Sequence, residues 1–136
     1  MARPSRISAA ILALLAEQAR HAWTLESMQA DLAARATKAD FSSVFRAVER
    51  LVAEGRLHRI PIEGAAARFE LPGAHHDHLR CVICDALVPI PCLAARMDLG
   101  ALQEQTGFTL EAHDIVLDGT CTNCRGRRPD SETRAV

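Results

Sequence analysis

Two Cys-x-x-Cys pairs in the second half of the chain constrain its fold more than any other feature. They are Cys81/Cys84 and Cys121/Cys124. Four thiolates spaced in this way can surround one Zn²⁺ ion, with Zn–S bonds of about 2.3 Å. The spacer from Asp85 to Thr120 has room for a strand, a helix and two further strands. The pairs therefore predict a small α/β unit whose two ends are cross-linked by a structural zinc.

Two other interpretations of these cysteines are weaker. Unrelated buried cysteines would not be expected to repeat the same two-residue gap. A redox pair needs only one Cys-x-x-Cys at the start of a helix, whereas both pairs here are predicted at strand ends. Cys92 has no such neighbour, so we interpret it as a buried or free thiol and only secondarily as a soft ligand. An odd number of cysteines suits a reducing compartment and predicts a cytoplasmic protein.

The run His75-His76-Asp77-His78 lies directly before the first cysteine pair. Alternate side chains of an extended segment point to the same side, so His76 and His78 share one face while His75 and Asp77 share the other. Each face could bind a metal ion with further ligands from elsewhere, such as Glu70, His113 or acids on the following helix. Surface histidines without a metal are the alternative. Because imidazole and carboxylate ligands exchange metal more readily than four thiolates do, the run predicts an exchangeable site beside a permanent one.

Two histidines, His21 and His58, stand outside this run. No cluster of possible ligands surrounds either of them in the sequence. We therefore interpret both as core or surface residues.

The first half of the chain has the pattern of three helices followed by a hairpin. Apolar residues recur at helical spacing from Ile7, a second helix begins at Thr24, and a third runs from Asp40 to Gly55. Two strands, 56–62 and 66–71, follow with a turn between them. This order predicts a winged helix-turn-helix over residues 1–72, with the boundary at Pro72-Gly73.

The second half is predicted to contain strands, one helix and a tail. A strand over 79–90 is interrupted by the first cysteine pair, a helix spans 93–105, and strands cover 108–113 and 115–117. The chain is thus expected to be α+β, with a small α/β domain over 73–125. Residues 126–136 are charged and lack an apolar period, which predicts a disordered tail. The apolar stretch Ala9–Ala16 is too short to span a bilayer, so no membrane association is expected.

Charge is divided unevenly along the chain. Residues 1–60 contain nine Arg and Lys against six acids, and the remainder contains seven against eleven. On the third helix Ser43, Arg46 and Arg50 fall at i, i+3 and i+7, on the face away from the apolar stripe. A recognition helix needs small residues for close approach to the groove and guanidinium groups for phosphates or guanine edges. The alternative is a solvated face on which Arg46 pairs with Glu49.

Four segments of the sequence resemble the ferric uptake regulator (Fur) family: Ser43–Leu51, Gly55–Ile60, His75–Cys84 and Gly107–Cys124. The resemblance covers roughly residues 5–125, in order and without large gaps. It implies a homodimeric repressor of metal uptake or homeostasis genes, activated by a metal. It also implies an N-terminal winged helix that binds pseudo-palindromic operator DNA, and a C-terminal dimerisation domain.

The resemblance further implies ligands and contacts. Structural zinc would be bound by Cys81, Cys84, Cys121 and Cys124. A regulatory Fe²⁺ or Zn²⁺ between the domains would be bound by Glu70, His76 and His78, and a further site would draw on His75, Asp77 and His113. DNA would be contacted by Ser43, Phe45, Arg46 and Arg50, although Phe45 stands where the family usually has Tyr. Pro89 replaces an acid that is often found there, which disfavours manganese.

These features together predict a metal-responsive DNA-binding repressor and not an enzyme. A metal-dependent hydrolase or nuclease using His75–His78 is the alternative from another class. Against it, the sequence offers no separate acid placed as a general base and no glycine loop that could hold phosphate. A peroxide-sensing regulator of the same family is a further alternative. A purely structural zinc adaptor would leave the histidine run unexplained.

Overall fold

A computed structural model of the protein describes residues 5–17 and 20–127. The chain divides into two compact units, the first ending at Ala74 and the second beginning at His75. Most of the predicted tail, residues 128–136, lies outside the described residues. Among the described residues, no helix is both long enough and apolar enough to cross a membrane.

The first unit contains three helices whose starts are fixed by polar caps. They are α1 (Arg6–Ala16), α2 (Leu25–Ala34) and α3 (Phe41–Ala53). The side chains of Ser5, Thr24 and Asp40 each accept a hydrogen bond from the backbone N–H three residues later. Such caps satisfy amide groups that have no partner within the helix. The predicted starts at Thr24 and Asp40 are confirmed.

The end of α3 has the geometry expected for a glycine stop. Gly55 has φ +72°, a left-handed conformation that costs glycine little. Its N–H donates to the carbonyl of Val52 at 3.0 Å, and the N–H of Arg56 donates to that of Leu51 at 2.8 Å. These two bonds form a Schellman motif. The motif ends α3 where the chain turns into the hairpin.

A two-stranded antiparallel wing follows α3 and is tied to the rest of the unit by main-chain bonds. Its strands, β1 (His58–Ile60) and β2 (Arg68–Glu70), are shorter than the predicted 56–62 and 66–71. Trp23 exchanges two backbone hydrogen bonds with Phe69, at 2.9 and 2.7 Å. The core of the unit consists of Ile11, Leu14, Leu15, Trp23, Met28, Leu32, Val44, Ala47, Val48, Leu51, Leu57 and Phe69. Burial of these side chains holds the three helices and the wing together.

The second unit is built on a three-stranded sheet. Its strands are β3 (His76–Cys81), β4 (Leu87–Pro91) and β5 (Val116–Gly119), in the order β4-β3-β5. β3 pairs antiparallel with β4 and parallel with β5. Pro89 and Pro91 lie on β4, which has a neighbour on one side only in this sheet. An edge strand tolerates proline, which cannot donate to a second neighbour.

The connection between β4 and β5 differs from the prediction in two places. The single helix predicted over 93–105 is divided into a short 3₁₀ turn (Leu93–Arg96) and a helix, α4 (Leu99–Thr106). The division occurs because the Asp98 side chain caps α4, accepting a bond from the N–H of Ala101 at 2.9 Å. The strand predicted over 108–113 is wrong, since this segment pairs with no strand of the sheet in the described chain.

Candidate metal centres and DNA-binding helix

The parallel pairing of β3 with β5 brings the two cysteine pairs together. Cys81 ends β3 opposite Gly119 of β5, so the chain beyond each strand carries one Cys-x-x-Cys pair at the same edge of the sheet. The N–H of Val82 donates to the carbonyl of Gly119 at 2.9 Å and extends this pairing into the first turn. Two cysteine pairs that lie about forty residues apart in the sequence are therefore brought together.

The distances between the sulfur atoms fit a tetrahedral zinc ion. The four Sγ atoms all lie within 4.8 Å of one another. The Sγ atoms of Cys84 and Cys121 are 3.7 Å apart. A regular tetrahedron with Zn–S bonds of 2.3 Å has S–S edges of about 3.8 Å. The predicted set of Cys81, Cys84, Cys121 and Cys124 could thus hold a structural zinc.

Two thiols of this set have opposite acid–base behaviour. The pKa of Cys81 is lowered to about 6, first because the N–H of Cys121 donates to its sulfur at 3.4 Å. The pKa of Cys124 is raised to about 12, first because of its hydrogen bond with Cys121 and then because of burial. Without a cation, Cys81 is favoured as a thiolate and Cys124 as a protonated thiol. A divalent ion would remove this restriction, since metal binding displaces the thiol protons.

A second cluster of possible ligands lies entirely within the second unit. It consists of His75, Asp77, Cys92 and His113, with one donor atom of each within 4.8 Å of the others. The Nε2 atoms of the two histidines are 2.8 Å apart, and each lies 3.5 Å from Oδ1 of Asp77. The structure thus brings together the three residues predicted for the further site. It adds Cys92, which the sequence favoured as a buried or free thiol.

The surroundings of Asp77 favour its charged carboxylate, which accepts two backbone hydrogen bonds. Its side chain is fully buried. Burial alone would raise its pKa, but the backbone N–H groups of Leu93 and Ile115 donate to it, and His113 and His75 lie close by. The net effect is a lowered pKa, so the charged form persists despite burial. This charge makes Asp77 suitable as a metal ligand.

In the first unit, Glu70 contacts two histidines that the sequence left as core or surface residues. Its Oε2 lies 2.7 Å from Nε2 of His21, and its Oε1 lies 2.9 Å from Nδ1 of His58. The pairing of β1 with β2 explains the second contact, because His58 stands directly opposite Glu70. The contact with His21 could not be predicted from residue spacing, because it depends on how the chain folds. Glu70 is only 4% exposed, so its charge requires such partners.

In the second unit, β3 separates the histidine run into two pairs. The rings of His76 and His78 lie together with centroids 4.7 Å apart, whereas His75 approaches Asp77. This is the alternation of an extended strand. His78 is 2% exposed, while His75 is exposed.

The outer face of α3 carries the residues predicted to contact DNA. Phe45, Arg46 and Arg50 are exposed, and Ser43 is partly exposed. Glu49 forms an ion pair with Arg59 of β1. The backbone N–H of Ser43 is used by the Asp40 cap at 2.7 Å. The face therefore presents two guanidinium groups beside an aromatic ring.

The fold and these clusters define a winged-helix protein whose second unit carries two groups of possible metal ligands. The model of the ferric uptake regulator family matches residues 3–118. The ferric uptake regulation protein of Bordetella parapertussis is 31% identical over 104 residues, which are 76% of this chain and 75% of that protein. The iron-containing ferric uptake regulator of Francisella tularensis superposes with TM-score 0.81 at 19% identity, covering 91% of this chain and 95% of that one. A zinc uptake regulator complexed with zinc and DNA gives TM-score 0.64 at 21% identity, covering 90% and 83%.

The chain belongs to the ferric uptake regulator family. This family consists of metal-responsive transcription regulators. The predicted family and fold class are confirmed.

Proposed function

We propose that this protein is a metal-dependent transcriptional repressor that binds operator DNA as a homodimer in the cytoplasm and controls genes of metal uptake or homeostasis. The proposal rests on one observation. Carboxylate and imidazole side chains, which exchange metal readily, lie at both ends of the short segment that joins the two units. Glu70 ends the last strand of the winged helix, and His76 begins the first strand of the second unit. A metal ion that takes ligands from both can couple the two units.

We propose two classes of bound metal. The four thiolates retain a structural Zn²⁺, supported by the fit of their sulfur distances to a tetrahedron. A regulatory Fe²⁺ or Zn²⁺ is bound by Glu70, His76 and His78. Each unit supports this assignment separately. In the first unit, Glu70 is buried and contacts imidazole rings. In the second unit, the rings of His76 and His78 lie together. Mixed nitrogen and oxygen ligands suit both ions.

Regulation follows from a difference in affinity. The ion must bind the DNA-competent arrangement of the two units more tightly than other arrangements, because only differential binding shifts an equilibrium. Metal then lowers the free-energy cost of orienting the winged helix before DNA arrives. A solved zinc uptake regulator with zinc and DNA shows that a protein of this fold can bind both together.

The proposed dimer is supported by an apolar row on the sheet of the second unit. Leu79 stands opposite Val88 on one side and Leu117 on the other, so the three side chains share one face. They are 41%, 47% and 45% exposed in the single chain. A contiguous exposed apolar patch is typical of a protein–protein interface. We propose that a second copy covers this row.

We expect Val88→Lys to shift the protein from dimer to monomer. A lysine in an apolar interface leaves a buried, unpaired charge, which costs several kcal/mol. The dimer dissociation constant should rise by at least about 100-fold, or about 2.7 kcal/mol. Analytical ultracentrifugation measures this shift. Ala53→Lys, which adds the same charge at an exposed position of α3, should leave the dimer intact; equal dissociation constants for both variants would contradict the proposed interface.

The proposed function is tested by metal titration with DNA. Protein stripped of exchangeable metal, with structural zinc retained, is mixed with duplexes selected from a random pool by the metal-loaded protein. Fluorescence anisotropy should show binding that rises with Fe²⁺ or Zn²⁺ and reverses with chelator, without cleavage of the duplex. Binding that ignores every divalent ion, or cleavage of the duplex, would contradict the proposal.

We expect Arg46→Ala to weaken binding to the same duplex. If Arg46 contacts a phosphate, its loss should lower the slope of log K against log salt by about one. If it reads a base edge, discrimination against the mismatched base should fall by about 1–3 kcal/mol with little change in slope. Arg96→Ala removes an exposed arginine from the second unit and should change neither quantity. An Arg46 variant that behaves like this control would exclude α3 as the recognition helix.

A further inference from the structure

Cys92 lies where its thiol can join a metal site instead of standing alone. It follows the last residue of β4 and precedes the 3₁₀ turn Leu93–Arg96, and its side chain is partly buried. Its Sγ is 3.5 Å from Nε2 of His113, although 21 residues separate them in sequence. That contact places a sulfur donor beside the two imidazoles and the carboxylate of His75, His113 and Asp77.

The distances in this cluster approach those of a tetrahedral zinc site. With ordinary bond lengths, a tetrahedral zinc ion separates a thiolate sulfur from an imidazole nitrogen by about 3.6 Å and an imidazole nitrogen from a carboxylate oxygen by about 3.4 Å. The corresponding distances here are 3.5 Å from Cys92 to His113, and 3.5 Å from each histidine to Asp77. The two imidazole nitrogens, at 2.8 Å, share a hydrogen bond. They need to separate by about half an ångström to reach the tetrahedral edge of about 3.3 Å.

The backbone positions the ligands through Asp77. Oδ2 of Asp77 accepts a bond at 2.7 Å from the N–H of Leu93, the residue after Cys92. Oδ1 accepts a bond at 3.2 Å from the N–H of Ile115, two residues after His113. One buried carboxylate thus holds both chain segments that carry the distant ligands. Outer hydrogen bonds of this kind orient metal ligands and raise affinity.

We propose that Cys92 is a metal ligand, and that it makes the cluster of His75, Asp77, Cys92 and His113 a four-coordinate site selective for Zn²⁺ over Mn²⁺ and Fe²⁺. A thiolate is a soft ligand that favours zinc, whereas manganese favours carboxylate, carbonyl and water oxygens. Two nitrogens, one oxygen and one sulfur complete a tetrahedron without an open position. This inference rests on the proposed function and deepens it: the thiol-containing site responds to zinc, while the set of Glu70, His76 and His78 has no sulfur ligand.

The test compares wild-type protein with Cys92→Ser, both purified as full chains with structural zinc in place. Co²⁺ added to the exchangeable sites reports a bound thiolate through a sulfur-to-cobalt charge-transfer band in the near ultraviolet. Wild type should show this band and Cys92→Ser should lack it. Chelator competition should show zinc binding at this site weakened by at least about 100-fold, since losing even an outer-shell partner costs 10–100-fold. Manganese binding should change by less than about tenfold.

Glu111→Gln is the matched control, because it alters an exposed charge two residues before His113 without removing a ligand. It should retain both the band and the zinc affinity. Identical spectra and zinc affinities for wild type and Cys92→Ser would overturn the inference, as would a wild-type titration without the band. These measurements contain no DNA. Failure of the proposed repressor function would appear separately, as DNA binding that is indifferent to metal.

Discussion

Replacing Cys81 or Cys121 by serine is expected to release the structural zinc and to unfold the second unit. Structural zinc contributes on the order of 10 kcal/mol in small zinc domains. That is comparable with the total stability of a whole domain, which is about 5–15 kcal/mol. The second unit depends on this contribution because its described residues form three short strands and a two-turn helix, with few buried apolar side chains. Zinc content by elemental analysis and circular dichroism on thermal unfolding measure the effect.

Cys92→Ser provides the matched control for this loss. It removes a thiol from the same unit but none of the four sulfurs of the zinc tetrahedron. It should keep one tightly held zinc per chain and an unchanged fold. A folded Cys81→Ser or Cys121→Ser protein with undiminished zinc would show that the four thiolates do not form the structural centre.

His76→Ala and His78→Ala are expected to abolish metal-dependent DNA binding while leaving structural zinc and the dimer unchanged. The two rings lie together on β3 and are proposed to be nitrogen ligands of the regulatory ion. Removing one leaves a site that binds the ion too weakly to favour the DNA-competent state. The gain in DNA affinity on adding metal should fall to near unity in each variant, measured by anisotropy with the selected duplex.

Gln105→Ala, at an exposed position of α4, serves as the control for this loss and should respond to metal as wild type does. Structural zinc and sedimentation are measured in parallel, so that a fall in DNA binding caused by unfolding is recognised. If both histidine variants still respond normally, the regulatory ion is bound by other residues.

The parts of the fold that were predicted correctly depend mostly on interactions between residues that are close together in the sequence. Helix caps at Thr24 and Asp40 and the glycine after α3 act within a few residues of the chain, so pattern and structure agree there. The segment 108–113 alternates like a strand, yet alternation reports only which side chains are apolar. A strand also needs a neighbouring backbone, and the described chain supplies none. Phe108 is accordingly 70% exposed.

The candidate sites show the same division between local and distant information. Four thiols in two identical pairs carry their own spacing signal, and the histidine run carries another. The contacts of Cys92 with His113 and of His21 with Glu70 join residues that are far apart in sequence. Such contacts follow from the order of the strands and the packing of the loops. Neither can be deduced from the spacing of residues in the sequence. Sequence reasoning therefore found the clusters but assigned Cys92, His21 and His58 to simpler roles.

The arrangement of metal ligands along β3 restricts where residues can be inserted into this protein or deleted from it. Possible metal ligands alternate between the two faces of the continuous segment from His75 to His78. The same segment then continues to Cys81, which belongs to the thiolate cluster. Deleting or inserting one residue between Asp77 and Cys81 would exchange the faces, because side chains in a strand repeat with a period of two. The ligands before the change and those after it could then no longer both meet their partners. Natural variation in length among proteins with this arrangement should therefore fall outside this segment, in connections such as the irregular stretch between α4 and β5.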